Sequence, residues 1–263
     1  MRRLTAAIAF SLVAIGAAAQ TPLPTASVSD PTALSLAQKS IAALTGGASI
    51  SDVTLSTNVV SIWGSDNETG SGTFTAQGTM QSRVDLNLSG GTRSDVRNNN
   101  GAPGGAWTAN SSAASAYANH NCWTESAWFF PALTSLSQSA NPAFVFRYIG
   151  LEQHGGMSTQ HIQVFQLNPQ DKTGIIQRLS TTDFYLDASS LLPLALAFKN
   201  HADNDVNTDL PIEVRFANYQ QPTKGVLVPY HFQKLVNGTV VQDVTVSTAV
   251  FNTGIQSTAF SLQ

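Results

Sequence analysis

Over most of its length the chain alternates apolar and polar side chains with a period of two. Val53, Leu55, Thr57 and Val59 alternate against Thr54, Ser56 and Asn58, and Val84, Leu86 and Leu88 against Arg83, Asp85 and Asn87. Successive side chains of a strand face opposite ways, so this pattern marks strands with one buried and one wet face. Further strand segments read at 73–80, 144–149, 157–167, 183–186, 191–198, 212–217, 226–236 and 239–251. With the first two they make about ten strands, and the short turns between them predict antiparallel pairing. Asn237-Gly238 is the strongest hairpin signal, because both residues tolerate the positive φ of a type I′ turn. Pro193 and Pro229 cannot donate to a ladder and belong near edges or bulges. The fold class is mainly β (α+β).

One helix precedes the strands. Asp30 is an N-cap acid before Pro31 at the first helical position, Leu34, Ala37, Ile41 and Leu44 recur at helical spacing, and Gly46-Gly47 stops the run. This predicts an amphipathic helix over 31–45. Between the first strands, residues 64–70 read as a polar turn.

The middle of the chain breaks the rhythm. Residues 98–119 are Gly, Ala, Ser and Asn, with Trp107 and Tyr117 as the only large groups, and predict a mobile loop or a lid. Behind them lies the most apolar patch of this region, with Cys122, Trp123, Trp128, Phe129, Phe130, Leu133 and Leu136. Thr124 is placed to cap a short helix and Pro131 to break it or start the next. A helical or irregular insertion over 98–140 is expected. Its aromatics can close a cavity, dock a partner or form ordinary core.

The N-terminus bears on where the chain works. Arg2 and Arg3, an apolar run of about a dozen residues, and Ala17-Ala18-Ala19 read as a cleavable signal peptide over 1–19. Residues 20–30 follow as a tether, and 31–263 as a single domain. The run is too short to span a membrane, and position 20 is Gln where a lipoprotein would need Cys. An exported protein, periplasmic or secreted and without a membrane anchor, is expected. Removing Arg2 and Arg3 leaves eleven basic against sixteen acidic side chains, which argues against a nucleic-acid partner. Cys122 is the single cysteine, so no intramolecular disulfide can form, and its aromatic setting suits a buried apolar residue.

Motifs for chemistry are sparse. No Gly-x-Ser-x-Gly sequence occurs, and His120, His154, His161, His201 and His231 stand singly, without zinc spacing. No catalytic residue is assigned. Asp203, Asp205, Asn207 and Asp209 offer oxygens at alternate positions, as calcium loops do, but Thr208 stands where an EF-hand has glycine. The segment reads either as an Asx-turn-rich connection or as a weak calcium site. No other cofactor is expected.

The order of elements, with Ile50-Ser-Asp-Val-Thr-Leu55 behind the helix, Asp183-Phe-Tyr-Leu-Asp187 running on to Pro193, residues 212–219, 225–229 and the final hairpin, resembles the LolA and LolB-like periplasmic lipoprotein-carrier family, and secreted bacterial proteins of that fold. The resemblance extends over most of the chain after the signal. It implies a strongly curved antiparallel sheet, or incomplete barrel, with helices closing an apolar mouth. It also implies a cavity suited to acyl chains or another lipid, with Trp123, Trp128, Phe129, Phe130 and Leu133 as lid residues. The expected function is a non-enzymatic extracytoplasmic carrier for a lipid or other hydrophobic ligand. The alternatives are a cell-envelope interaction module and a secreted hydrolase in which Asp203, Asp205 and a histidine meet only in space.

Overall fold

The helix α1 (Pro31–Thr45) begins where Asp30 accepts the backbone N–H of Thr32 at 2.7 Å and that of Ala33 at 3.4 Å. It ends where Gly46, at φ 59°, turns its N–H back to the Ala42 carbonyl. Ala33, Ala37, Ser40 and Leu44 form its buried face. These side chains are mostly small, so the helix lies close to what it covers. A computed structural model describes residues 28–99 and 102–262. The signal peptide expected over 1–19, and the tether up to residue 27, lie outside the described residues. No helix among the described residues is long and apolar enough to cross a membrane.

Thirteen strands follow: β1 (Asp52–Trp63), β2 (Asp66–Gln77), β3 (Gln81–Leu88), β4 (Gly91–Asn98), β5 (Gly105–Ala109), β6 (Ser115–Ala116), β7 (Phe144–His154), β8 (Met157–Gln166), β9 (Thr182–Asp187), β10 (Pro193–Ala202), β11 (Asp205–Thr223), β12 (Val226–Val236) and β13 (Thr239–Phe251). They form one antiparallel sheet in the order β6-β5-β4-β3-β2-β1-β13-β12-β11-β10-β9-β8-β7. Two meanders are thus joined where β1 pairs with β13. The sheet is curved but unclosed, with β6 and β7 as its edges. Register shifts at Ser56/Thr57, Tyr148/Gly150 and Lys234/Leu235 mark bulges, which bend a strand and raise its twist. Asn237 and Gly238 both have positive φ in the β12–β13 turn.

The strand count of about ten is corrected to thirteen. The additional strands are β4, β5 and β6. On β4 the inward positions are Arg93, Asp95 and Arg97, and β5 is Gly-Ala-Trp-Thr-Ala, so neither shows the apolar alternation of the others. Most of 98–119, expected as a mobile loop or lid, is therefore the sheet's β5–β6 margin. The turn expected over 64–70 shrinks, because β2 opens at Asp66 and pairs with β1 from there. The insertion between β6 and β7 holds three short 3-10 turns, Asn119–Trp123, Pro131–Leu133 and Ser135–Gln138, with no α-helix. A second helix, α2 (Ile175–Ser180), lies between β8 and β9. Pro193 opens β10 beside a bulge. Pro229 pairs with Tyr219 on one side, while the pairing of β12 with β13 begins only at His231.

The insertion and α1 pack on the inner face of the sheet. Phe129 and Phe130 are fully buried there with Phe74, Phe146, Phe184 and Phe232. Phe74 meets Phe129 at 5.2 Å and Phe232 at 5.4 Å between ring centres, both edge-on. Cys122 is buried as well, in line with a structural thiol.

Candidate ligand groove

The inner face changes character toward β4 and β5. Cross-strand pairing sets Leu55, Phe74, Val84, Asp95 and Trp107 in one row, and Thr57, Gly72, Leu86, Arg93 and Ala109 in the next. A third row runs Lys234, Gln242, Ser61 and Glu68 across β12, β13, β1 and β2. Gly70 keeps β2 and β3 in close approach, since a Cβ there would lie 2.0 Å from the Asn87 carbonyl oxygen. Between these rows and Trp128 of the insertion lies a groove of about 430 Å³. Val84 and Leu86 form its bed, Trp63, Trp107, Tyr117 and Trp128 its aromatic walls, and Arg93, Asp95 and Lys234 its charged groups. Trp63 and Trp107 stand at the rim, 61% and 43% exposed.

Most of the polar groups in the groove are engaged. Arg93 pairs with Glu68 at 2.5 Å, donates to Ser61 Oγ at 3.2 Å and lies over the Trp63 ring. The Tyr117 hydroxyl donates to the Asp95 carboxylate. Arg97 lies over the Tyr117 ring and donates to the Asn121 carbonyl at 2.6 Å. Burial and the Asp95 charge hold the Tyr117 phenol well above its usual pKa, so it stays a donor at any physiological pH. The Lys234 Nζ sits over the Trp128 ring, 4.5 Å from its centre. Burial pushes its pKa down, and the Asp95 carboxylate works in the opposite sense.

Of the five residues expected at a lid, Trp128 lines the groove. Phe129, Phe130 and Leu133 are buried in the core beneath it, and Trp123 faces a small crevice beside Glu125. Sequence reasoning passed over Trp63, Arg93, Asp95 and Lys234. It had noted Trp107 and Tyr117 as the only large side chains in a run of small ones, and that contrast was the available signal.

The Asp203-Asn204 pair forms the turn between β10 and β11. Asp205 accepts from the Asn207 N–H at 3.0 Å and the Thr208 hydroxyl at 2.7 Å. Asp209 is held by Lys199 at 2.5 Å and Arg178 at 3.1 Å, with the His201 ring 3.3 Å away, and Arg178 also donates to Asn207. Asp205, Asn207 and Asp209 are thus engaged by local donors, and no group of three or more His, Cys, Asp or Glu among the described residues is arranged to hold a metal. His154 pairs with Glu213, His161 with Asp183 and His231 with Asp243. None of the described histidines lines the groove.

Comparison with known proteins bears on the fold. No protein-family model matches the chain, and no curated protein matches its sequence. Solved structures do. The sheet superposes on a domain described as an outer membrane lipoprotein-sorting protein from Vibrio parahaemolyticus, with TM-score 0.57, 13% identity, 87% of this chain and 96% of that chain. This chain has a LolA-like fold. A LolA superfamily protein from Nitrosomonas europaea matches with TM-score 0.55 at 9% identity, over 88% of this chain and 97% of that one. A DUF1329 family protein from Desulfovibrio piger matches with TM-score 0.54 at 11% identity, over 88% and 96%. At such identities the likeness is one of fold, and the groove is built by this chain's own side chains.

Proposed function

We propose that the chain is a non-enzymatic binding or carrier protein for a lipid or similar hydrophobic ligand, working outside the cytoplasm once its N-terminal signal has exported it. The observation that carries this is the groove of about 430 Å³, bedded by Val84 and Leu86 and walled by three tryptophans. Its size is that of an ordinary small-ligand site, where apolar walls supply affinity and a few polar groups fix orientation. Each methylene withdrawn from water contributes about 0.8 kcal/mol. An acyl segment of about eight carbons would therefore gain roughly 6 kcal/mol before the cost of association is subtracted. The LolA-like fold supports the same reading, since its inner face is where the groove lies.

The test is native mass spectrometry of protein extracted gently from its own envelope. Adducts with lipid masses are expected. Bare polypeptide, together with no uptake of a fluorescent fatty acid, would overturn the proposal. Docking of an envelope protein is favoured by a different observation: β7 is a sheet edge and exposes Ile149, Leu151 and, on the facing strand, Met157. An unpaired edge with apolar side chains accepts an added strand. Crosslinking from position 151 in envelope extracts separates the two, because a carrier without a docked partner gives no product there.

A further inference from the structure

We infer that the groove selects an anionic amphiphile, an apolar tail bearing one acidic head group, and that Lys234 receives the head. The inference rests on the hydrophobic-ligand reading of the same groove and names the chemistry of its ligand. Each of the other charged groups around the groove has a partner. Arg93 has Glu68 and Ser61, Arg97 has the Asn121 carbonyl, and Asp95 has the Tyr117 hydroxyl. The ammonium of Lys234 has the face of Trp128 and no hydrogen-bond acceptor among the described residues.

The Trp128 ring face engages the ammonium without using its three N–H donors, which stay available to an acceptor that enters the groove. The sequence does not need a cation there for packing. Phe232, two residues earlier on the same face of β12, is fully buried and apolar. Gln242 lies directly across from Lys234 in the β12–β13 pairing and also lines the groove, placing an amide beside the ammonium. The local balance has the right sign as well. Arg93, Arg97 and Lys234 stand against Glu68 and Asp95, leaving the groove positive in a chain of net charge −3. Val84, Leu86 and Lys234 line the same groove, so a tail lying on Val84 and Leu86 keeps its head in the space that Lys234 borders. A carboxylate and a phosphate monoester present the same chemistry to Lys234, the first as in a free fatty acid and the second as in a phospholipid-type head.

The test titrates the full exported chain, by its tryptophan fluorescence, with four ligands of one chain length: decanoate, decyl phosphate, decanol and decylammonium. The two anions are expected to bind about ten-fold or more tightly than decanol, as a hydrogen bond to a charged group would give, and decylammonium more weakly than decanol. Lys234→Met should bring the anions down to the decanol level, and Lys234→Arg should keep their preference, which also shows that the position tolerates substitution without unfolding. A tighter decanoate points to free acids and a tighter decyl phosphate to phospholipid-type heads, and either order supports the inference. Equal binding of anions and decanol by the unaltered protein would overturn the inference and leave the hydrophobic-ligand reading standing. Failure of all four to bind would overturn both.

Discussion

The carboxylate of Asp52, at the start of β1, accepts the backbone N–H of Thr253 at 2.8 Å and that of Gly254 at 3.1 Å. The Thr253 hydroxyl adds a third contact at 3.0 Å. These bonds tie the first strand to the chain that leaves the last strand, at the one seam where the two meanders meet. Burial raises the Asp52 pKa, but the bonds from Thr253, Ser51 and Gly254 outweigh it and hold the carboxyl below its usual 3.8. A depressed folded value means the stabilisation is complete above the unfolded pKa and is lost as pH falls through the folded one. Asp52→Asn is expected to cost about 1–3 kcal/mol in urea unfolding at neutral pH. The deficit should shrink in acid. A deficit independent of pH would mean that the charge is not what holds the seam.

Asp187 offers a titration that can be read directly. It closes the β9–β10 turn by accepting from the Ser189 and Ser190 hydroxyls at 2.6 and 2.8 Å and from their N–H groups at 3.1 and 2.7 Å. Those bonds pull its pKa down to about 2. Carbon-detected NMR should find the carboxyl titrating there, and the turn should loosen only as pH falls from 3.8 toward about 2. A normal carboxylate value would contradict the turn geometry.

Gly46 and Gly47 both have positive φ, 59° and 84°, yet only the first is crowded. A Cβ on Gly46 would lie 2.6 Å from the backbone oxygen of Gly225, in the β11–β12 turn, whereas one on Gly47 would meet nothing within 4 Å. Gly47→Ala should therefore cost only the left-handed backbone penalty, about 1–2 kcal/mol. Gly46→Ala should cost clearly more, because backbone must move. Equal midpoints in denaturant would show that α1 and that turn are not in contact.

Trp128 and Phe129 are neighbours with different duties. Trp128→Ala should weaken uptake of a fluorescent fatty acid about five-fold or more through lost apolar contact, with little change in the circular dichroism spectrum. Phe129, fully buried against Phe74, should behave oppositely. Its replacement by alanine should cost about 3–5 kcal/mol of stability. If Trp128→Ala leaves uptake intact, the groove is not the binding site.

The chain's own pattern determined α1, from Asp30 and Pro31 to Gly46, the β12–β13 hairpin at Asn237-Gly238, and the strands that alternate cleanly. These elements are legible because each is fixed by neighbours within a few residues: a cap, a turn residue, a period of two. The same rule hid β4 and β5. Arg93, Asp95 and Arg97 face inward on β4, against the usual sense of alternation, and Arg93 and Asp95 do so because they line a groove rather than a filled core. Only the tertiary structure could assemble that groove, since Trp63, Asp95, Trp107, Trp128 and Lys234 come from β1, β4, β5, the insertion and β12. What sets them together is the pairing of β1 with β13, a contact between the two ends of the domain that local sequence does not encode. It likewise decided that Phe129 and Phe130 belong to the core while Trp128, one residue earlier, faces the groove.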